Sequence, residues 1–400
     1  MKLWRSLLLG LCFSNAIASQ VQAQISPDGT TNTSVNLTED SIRIDEGDRA
    51  GDNLFHSFKQ FSVPDGNEAF FNNPNDIANI FSRVTGGDIS NIEGLIRANG
   101  DANLFLINPA GIVFGEGAAL DIGGSFTAST AESIVFSTEV EFSATDSDNP
   151  SLLTVNMPIG LNYGSTSGNI AVNNSNLEVD NGKDLSLLGG EIVITGGRIT
   201  ASGGNVELSA ISQKQINFNS ISLEEGVARN DITLTNGASV NVQAAGGGNI
   251  KVNARNLELF GASNIIAGIA SESDSFEAQA GDIVINITGD ITVGRGSSIF
   301  NLVEESAVGN AGGIDITTDN LFLNQGGQIF TSTFGQGSVG KITLEANGAI
   351  EADGESSEGF PSGIVSRVEE SAIGDAGGIE LTTDNLFLRA NLRRISERHF

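Results

Sequence analysis

VEESAVGNAGGIDITTDNLFL, residues 303–323, returns as VEESAIGDAGGIELTTDNLFL at residues 368–388, with four conservative differences in 21 positions. Such self-similarity is typical of repeat architectures. In the first copy Ile314 and Ile316 alternate with polar residues. This period of two predicts a short strand with one buried face.

Turn-forming residues separate the apolar runs of each copy. A polar corner at 317–320 precedes the apolar run 321–323, and Gly-rich residues 325–327 follow that run. Weaker copies of the pattern occur in GGNIKVNARNLEL, residues 247–259, and in AGDIVINITGDITV, residues 280–293. Strand, corner, strand and turn indicate one coil of a β-solenoid, with about 20 residues per coil.

Stacking is required because a coil of two or three short strands cannot bury its own apolar face or pair its own backbone groups. Gly and Asn tolerate the tight corners, and Asn side chains at equivalent corners can bond in ladders. An array of amphipathic helices is disfavoured because helical spacing is absent and Gly recurs throughout. The sequence therefore predicts an all-β chain folded as a right-handed parallel β-helix with an N-terminal capping segment.

Residues 24–163 differ from the repeats because they are rich in phenylalanine and lack the repeated sequence. A solenoid needs an atypical first segment to cover its open end. We therefore predict a specialised N-terminal domain at 24–163, β-helix repeats at 164–390 and an atypical basic tail at 391–400. The phenylalanines are Phe55, Phe58, Phe61, Phe70, Phe71, Phe81, Phe105, Phe114, Phe126, Phe136 and Phe142.

Residues 1–23 have the composition of a secretory signal peptide. Lys2 and Arg5 precede a short apolar run, and small residues end at Ala23. We expect cleavage after Ala23, with Ala18 as the alternative. Cys12, the single cysteine, lies within this segment and too early for a lipid attachment site. The mature chain is therefore expected to contain neither disulfides nor a cysteine metal site.

The acidic balance of the chain excludes one class of partner. Lys and Arg number 20 against 49 Asp and Glu, which gives a formal net charge of -29. Such a charge repels the phosphates of nucleic acids and anionic membrane surfaces. We therefore expect no nucleic-acid partner.

Candidates for catalysis or metal binding are few. The only histidines are His56 and His399. Without a mature cysteine or paired histidines, a zinc site or a Ser–His system has almost nothing to build from. We expect no metal, no cofactor and no catalytic residue, and His56 is most simply a strand residue.

Carboxylates leave one enzyme class open, a carbohydrate-cleaving β-helix enzyme, which needs several acids converging on one face. The acids here fall mainly in turns, as at 304–305 and 369–370. Gly–Asp pairs such as 281–282 lack the tandem nine-residue pattern of a calcium β-roll. The glycines at 246–248 lack the lysine and helix of a phosphate loop, so they indicate a turn.

ANLFLINPAGIVFG, residues 102–115, contains a turn signal between two apolar runs. Asn108 suits the first position of a β-turn, Pro109 the second and Gly111 the fourth. Ala110 at the third position favours a type I turn. The sequence predicts a tight corner between two strands, with no nucleophile or base in it.

The surrounding stretch 72–115, together with GGSFTAST at 123–130, resembles the N-terminal secretion domain of filamentous haemagglutinin and related exoproteins of two-partner secretion. The likeness includes an Asn-Pro-Asn sequence, the segment RVTGG at 83–87 and an Asn-Pro-x-Gly-Ile sequence. This chain departs at Ala110, where the family usually has Asn, and at Asp76, where it often has Leu. The residues that carry the secretion motifs are Asn73, Pro74, Asn75, Asn108, Pro109, Gly111 and Ile112.

The resemblance implies that residues 24–163 are a haemagglutination activity domain of two-partner secretion. Its partner would be an outer-membrane β-barrel transporter with periplasmic domains, which threads the unfolded chain out of a Gram-negative-type cell. Strand addition to a sheet edge is one mode of recognition. The exported chain would be secreted or held at the cell surface.

Family members commonly act as adhesins, so the resemblance favours adhesion, with a carbohydrate or host-surface ligand. A carbohydrate-active β-helix enzyme and a passive surface-layer or matrix component are the alternatives. RANLRRISERHF at 389–400 does not continue the second repeat. We interpret this end as a truncation, with a natural basic tail as the alternative.

Overall fold

The computed structural model describes residues 25–38, 41–137, 140–146, 154–164, 167–217, 227–271 and 273–389. Every regular element in these ranges is a β-strand. Across them, no helix is long and apolar enough to cross a membrane. The predicted signal peptide at 1–23 and the predicted tail at 391–400 lie outside the described residues.

The strands before residue 164 are β1 (Ile25–Pro27), β2 (Thr33–Leu37), β3 (Ser41–Glu46), β4 (Asp48–Ala50), β5 (Asn53–Phe61), β6 (Glu68–Phe71), β7 (Asn79–Val84), β8 (Ser90–Ile92), β9 (Leu95–Ala98), β10 (Asn103–Ile107), β11 (Ile112–Phe114), β12 (Ala119–Asp121), β13 (Phe126–Ser129), β14 (Ser133–Phe136), β15 (Glu141–Ser143) and β16 (Pro158–Tyr163).

The later strands are β17 (Ile170–Asn173), β18 (Asn176–Glu178), β19 (Leu185–Gly189), β20 (Ile192–Thr195), β21 (Arg198–Thr200), β22 (Val206–Asn217), β23 (Ala228–Arg229), β24 (Ile232–Thr235), β25 (Ser239–Asn241), β26 (Ile250–Ala254), β27 (Leu257–Leu259), β28 (Asn264–Ile269), β29 (Asp274–Gln279), β30 (Ile283–Ile287), β31 (Asp290–Gly294), β32 (Ser298–Val303), β33 (Val308–Asn310), β34 (Ile314–Thr318), β35 (Asn320–Asn324), β36 (Gln328–Thr333), β37 (Ile342–Asp353), β38 (Gly363–Val368) and β39 (Ile379–Arg389).

The strands stack in parallel on three faces of one helix, which confirms the predicted parallel β-helix. The first face contains β5, β7, β10, β13, β19, β22, β26, β30, β34, β37 and β39. The second contains β8, β11, β17, β20, β24, β27, β31 and β35, followed by the second halves of β37 and β39. The third contains β3, β6, β9 and β12, and then β18, β21, β25, β28, β32, β36 and β38.

Aliphatic side chains at matching positions form the core. Ile250, Ile283, Ile314 and Ile342 pair in series on the first face, and each is fully buried. Period-two alternation directs each of these side chains inward, where the coils above and below cover it. The buried face predicted from the repeats is therefore confirmed.

The length of a coil differs from the sequence-based expectation. Ile283, Ile314, Ile342 and Ile379 are successive partners, so these coils contain 31, 28 and 37 residues. The expected value of about 20 residues is wrong for this part of the chain. The reason is that each of these coils contains a third strand, β32, β36 or β38, and a loop that joins it to the next strand of the first face.

Antiparallel strands cover the N-terminal end of the helix. β1 pairs with β5 and β2 pairs with β3, both antiparallel. Neither β1 nor β2 has a second partner in the described sheets. The predicted cap is present but smaller than residues 24–163, because β5 to β13 already form coils.

A side sheet extends from the helix and encloses a second core. β14, β15 and β16 pair antiparallel, and the C-terminal half of β22 joins β16. The core beneath it contains Phe55, Phe81, Ile107, Ala131, Ile134, Phe136, Phe142, Ala144, Leu161, Tyr163, Leu188, Ile211 and Val227. Several of the N-terminal phenylalanines therefore fill a space outside the helix proper.

Polar ladders run along the corners, as the sequence predicted. Asn256 Nδ2 donates to Asp231 Oδ1 at 2.9 Å, and Asn320 Nδ2 donates to Asp290 Oδ1 at 2.8 Å. The Asp290 N–H donates to Asn256 Oδ1 at 3.0 Å and so joins the two pairs. Because aspartate alternates with asparagine here, donors and acceptors match from coil to coil.

Candidate functional site

Asn108 begins a tight turn at the corner between the first and second faces. The Gly111 N–H donates to the Asn108 carbonyl oxygen at 3.0 Å, and the Ala110 N–H donates to Asn108 Oδ1 at 3.0 Å. The φ angle of Ala110 is not positive. A type I turn requires a negative φ at this third position. The predicted β-turn is confirmed, whereas its role in secretion stays a prediction.

The Asn108 side chain is fully buried and joins neighbouring coils. Its Nδ2 donates to the Asp88 carbonyl oxygen and to Ser90 Oγ, both at 2.9 Å. Its backbone N–H donates to the Ser129 carbonyl oxygen at 2.9 Å. A buried amide without these partners costs about 1–3 kcal/mol, so the turn specifies asparagine for structural reasons.

The next coil packs closely over this turn. The Gly168 N–H donates to the Pro109 carbonyl oxygen at 2.9 Å, and the Ile112 N–H donates to the Asn169 carbonyl oxygen at 3.0 Å. A Cβ atom on Gly168 would lie 2.5 Å from the Ala110 carbonyl carbon. The corner therefore excludes a side chain at Gly168.

The outer side of the turn borders a shallow groove of about 270 Å³. Pro109 and Ala110 are partly exposed there. The lining residues are Val84, Thr85, Gly87, Asn108, Pro109, Ala110, Ala144 and Thr145. The described lining consists of apolar, hydroxyl and amide groups, which suits a contact surface.

Asn73 occupies a second buried corner. Its Nδ2 donates to the Asn99 carbonyl oxygen at 3.0 Å, and its Oδ1 accepts from the Asn99 N–H at 2.9 Å. The Ile77 N–H donates to the Pro74 carbonyl oxygen at 3.1 Å and closes the turn. Pro74 and Asn75 are exposed beside it.

The two Asn-Pro turns lie at opposite ends of the first face. The Asn73 turn precedes β7, whereas the Asn108 turn follows β10, which pairs with β7 in register. The structure therefore does not bring the two turns together in one pocket. Each fixes a different corner of adjacent coils.

Arg83 is a central residue that the sequence analysis did not single out as part of the site. It is 2% exposed and lies on β7. Its Nε donates to Ser57 Oγ at 2.8 Å and its Nη2 to Thr30 Oγ1 at 3.0 Å. Its guanidinium lies 4.4 Å from the centre of the Phe142 ring. Arg83 thus links the cap, the first face and the side sheet.

Asp28 supplies negative charge near this guanidinium. Burial acts to raise the pKa of Asp28, but hydrogen bonds from Ser57, Thr30 and Thr85 outweigh it and hold the pKa below its ordinary value. Burial lowers the pKa of Arg83, against the attraction of Asp28 and Asp146. A signal for this network in the sequence was a single charged residue, the arginine, within the strand NIFSRV.

His56 is a core residue of the capped end. It is 1% exposed, and its Nδ1 lies 3.1 Å from Thr33 Oγ1. Its ring contacts those of Phe58 and Phe71. Burial lowers the pKa of His56 to about 3, so the imidazole is neutral near pH 7.

Comparison with known proteins agrees with this geometry. The family described as the TPS secretion domain matches residues 23–252, more than half of the chain. The chain belongs to the two-partner secretion family. The matched range includes both Asn-Pro turns, the side sheet and Arg83, and it continues past residue 163, so a boundary there stays a prediction. The chain is a secreted two-partner-secretion exoprotein.

Individual relatives match shorter segments of this chain than the family does. A Heme/hemopexin-binding protein of Haemophilus influenzae is 33% identical over 87 residues, which are 22% of this chain and 9% of the relative. A second protein of that name, from H. influenzae strain Rd, is 35% identical over 66 residues, which are 16% of this chain and 7% of the relative. The matched segments thus span under a tenth of these relatives.

A solved structure supports the fold. The crystal structure of the HMW1 secretion domain from H. influenzae matches with a TM-score of 0.55 and 18% identity. The match covers 91% of this chain and 98% of that one. At this identity the likeness shows the shared β-helix.

Proposed function

We propose that the N-terminal coils are recognised in the periplasm by an outer-membrane β-barrel transporter with periplasmic domains, which delivers the chain to the cell surface or the medium. The family match over residues 23–252 carries this proposal. The recognised surface includes the Asn108 turn, because Pro109 and Ala110 remain accessible beside a groove.

Stepwise folding outside the cell would favour outward movement. Each coil pairs mainly with its immediate neighbours, so coils can add one at a time as they emerge. The only cysteine is Cys12, within the predicted signal peptide, so no disulfide would obstruct threading of the mature chain.

Strand addition at β2 is the proposed mode of first contact. β2 pairs with β3 on one side and has no second partner among the described strands. Leu37 at its end is 56% exposed. An unpaired edge of this kind accepts an extended segment of a partner.

A photo-crosslinking amino acid tests this contact. At Leu37 it is expected to crosslink to the periplasmic part of the transporter during export. At Phe360, which is 58% exposed on a late coil, it should not. Crosslinks from Phe360 alone would contradict docking at β2.

After export we propose that the chain acts as an adhesin without catalytic activity, and that its ligand is a carbohydrate or another component of a host surface. His56 is 1% exposed at the capped end, so a substrate cannot reach its imidazole. A regular rod of stacked coils offers a long outer surface for contacts, as solenoids generally do.

Deletion within the Asn108 turn tests the export proposal. Removing residues 108–112 is expected to abolish appearance of the full chain in the medium when it is co-expressed with the transporter. The purified variant is checked for strand content by circular dichroism and for protease resistance. Normal export of a deletion variant that keeps its fold would contradict a role for this turn.

A further inference from the structure

A groove of about 640 Å³ lies on the outside of the third face, far along the chain from the Asn-Pro turns. Its floor contains outward side chains of two adjacent strands, Ser298 from β32 and Gln328 and Phe330 from β36. Phe330 stacks on Phe300 of the previous coil, with ring centres 4.9 Å apart. The volume is within the range of pockets that bind small molecules.

One wall is a column of turns that follow the second-face strands. In the four earlier coils the left-handed residue at this place is asparagine or glycine: Asn174, Gly196, Asn236 and Gly261, with φ of 53°, 65°, 59° and 68°. Asparagine tolerates this conformation well. In the groove the same place is taken by Arg295 and Gln325, with φ of 55° and 49°. Long side chains are disfavoured there, and residues held in such conformations concentrate at functional sites.

The other wall is an insertion between β37 and β38. The equivalent corners at 295–297 and 325–327 contain three residues, whereas this corner spans 354–362. The Ser356 N–H donates to the Phe360 carbonyl oxygen at 2.8 Å, and Gln328 Nε2 donates to the Pro361 carbonyl oxygen at 3.0 Å. The insertion is thus fixed against the floor, while the Phe360 ring remains 58% exposed.

The groove is lined by hydrogen-bond donors, hydrogen-bond acceptors and aromatic rings. Arg295 supplies donors, Gln325 and Gln328 supply donors and acceptors, and Glu358 supplies acceptors. Phe360 supplies an apolar surface. A polyanionic ligand is disfavoured by the net charge of -29. A ligand rich in hydroxyl groups satisfies this lining best.

We infer that this groove binds a neutral oligosaccharide, with successive sugar units lying across successive coils. The inference rests on the proposed role as an adhesin and gives that role a location. The coils are spaced by about 4.8 Å, a distance comparable with one pyranose unit, so turns of adjacent coils can contact adjacent sugars.

The test is binding of the purified full chain to a printed array of neutral, sialylated and sulfated oligosaccharides, followed by titration of the strongest neutral one. Phe360→Ala and Arg295→Asn are expected to weaken binding at least tenfold. Asn keeps the left-handed turn. Phe387→Ala is the matched control, because Phe387 is 43% exposed on β39, outside the groove, and should leave binding unchanged.

Three results would overturn the inference: no neutral oligosaccharide bound above the blank surface, equal binding by wild type and both groove variants, or preference for sulfated ligands. Circular dichroism confirms that each variant is folded. Cell adhesion is measured separately with the same proteins. Adhesion without glycan binding would contradict this site and leave the adhesin proposal standing, whereas glycan binding without adhesion would contradict the adhesin proposal.

Discussion

The N-terminal coils and the later coils share one helix but differ in how they are held together. In the later coils Ile283, Ile314 and Ile342 repeat the same contact at the same place. In the N-terminal coils Phe55 and Phe81 pack against the side sheet, and each ring has its own set of neighbours. The repeats therefore depend on a pattern, whereas the N-terminal region depends on particular residues.

The polar groups of the two regions differ in the same way. In the later coils Asn256 and Asp290 belong to a ladder that repeats along a corner. In the N-terminal region a single buried arginine, Arg83, joins three parts of the structure. The contacts of Arg83 are not repeated from coil to coil, and a surface that a transporter recognises needs such distinct features.

Truncating a phenylalanine in each region should show the largest difference. Phe81→Ala is expected to lower the free energy of unfolding by about 3–5 kcal/mol, because its fully buried ring leaves a cavity. Phe300→Ala removes a half-exposed stacked ring and is expected to cost about 1 kcal/mol. Urea unfolding measures both, and equal losses would contradict the comparison.

Arg83→Met should cause the next largest loss in the free energy of unfolding. It removes hydrogen bonds from a charged donor to Ser57 and Thr30 and is expected to cost about 1.5–3 kcal/mol. Arg255→Met is the control, because the Arg255 side chain is 58% exposed in its ion pair with Asp231 and should cost less than about 1 kcal/mol. An unchanged free energy of unfolding in Arg83→Met would show that the hydrogen bonds of Arg83 are dispensable for stability.

The sequence was sufficient for the elements that repeat and for the local turn chemistry. Alternation at Ile314 and Ile316 predicted the buried face, and Asn108-Pro109 predicted the corner. The side sheet was not predicted. The two halves of β22 join different sheets, β19 on the first face and β16 in the side sheet, although β22 is one continuous strand. The partners of Arg83 come from segments more than 25 residues away, so no local pattern could identify them.

Acid should destabilise the capped end through His56. Its pKa is lowered to about 3 in the folded chain, against about 6.5 when unfolded. Between these values the unfolded state binds the proton preferentially, so stability falls with decreasing pH by up to about 1.4 kcal/mol per pH unit. The measurement is urea unfolding from pH 7 to pH 4. His56→Phe should flatten this part of the profile, and an unchanged slope would contradict the assignment to His56.

Breaking one rung of a ladder should have a smaller effect. Asn256→Ala removes the bond to Asp231 and the acceptor for the Asp290 N–H, and is expected to cost about 1 kcal/mol. Thermal or urea unfolding measures it. A loss as large as that of Phe81→Ala would show that the corners hold the repeats together more than the core does.

Ala110→Asn should have the smallest effect. Asn is compatible with the third position of the turn, and Ala110 is partly exposed, so stability should change by less than about 0.5 kcal/mol. Export should be unchanged or increased, as measured by the chain recovered from the medium. A strong loss of export would show that the transporter contacts this side chain directly.

We propose that the N-terminal coils direct export through a partner transporter. The most direct measurement is the fraction of full-length chain outside cells that express the intact transporter, compared with cells whose transporter lacks its periplasmic domains. We expect extracellular chain with the intact transporter and retention in the periplasm with the truncated one. Equal extracellular amounts in both strains would contradict it.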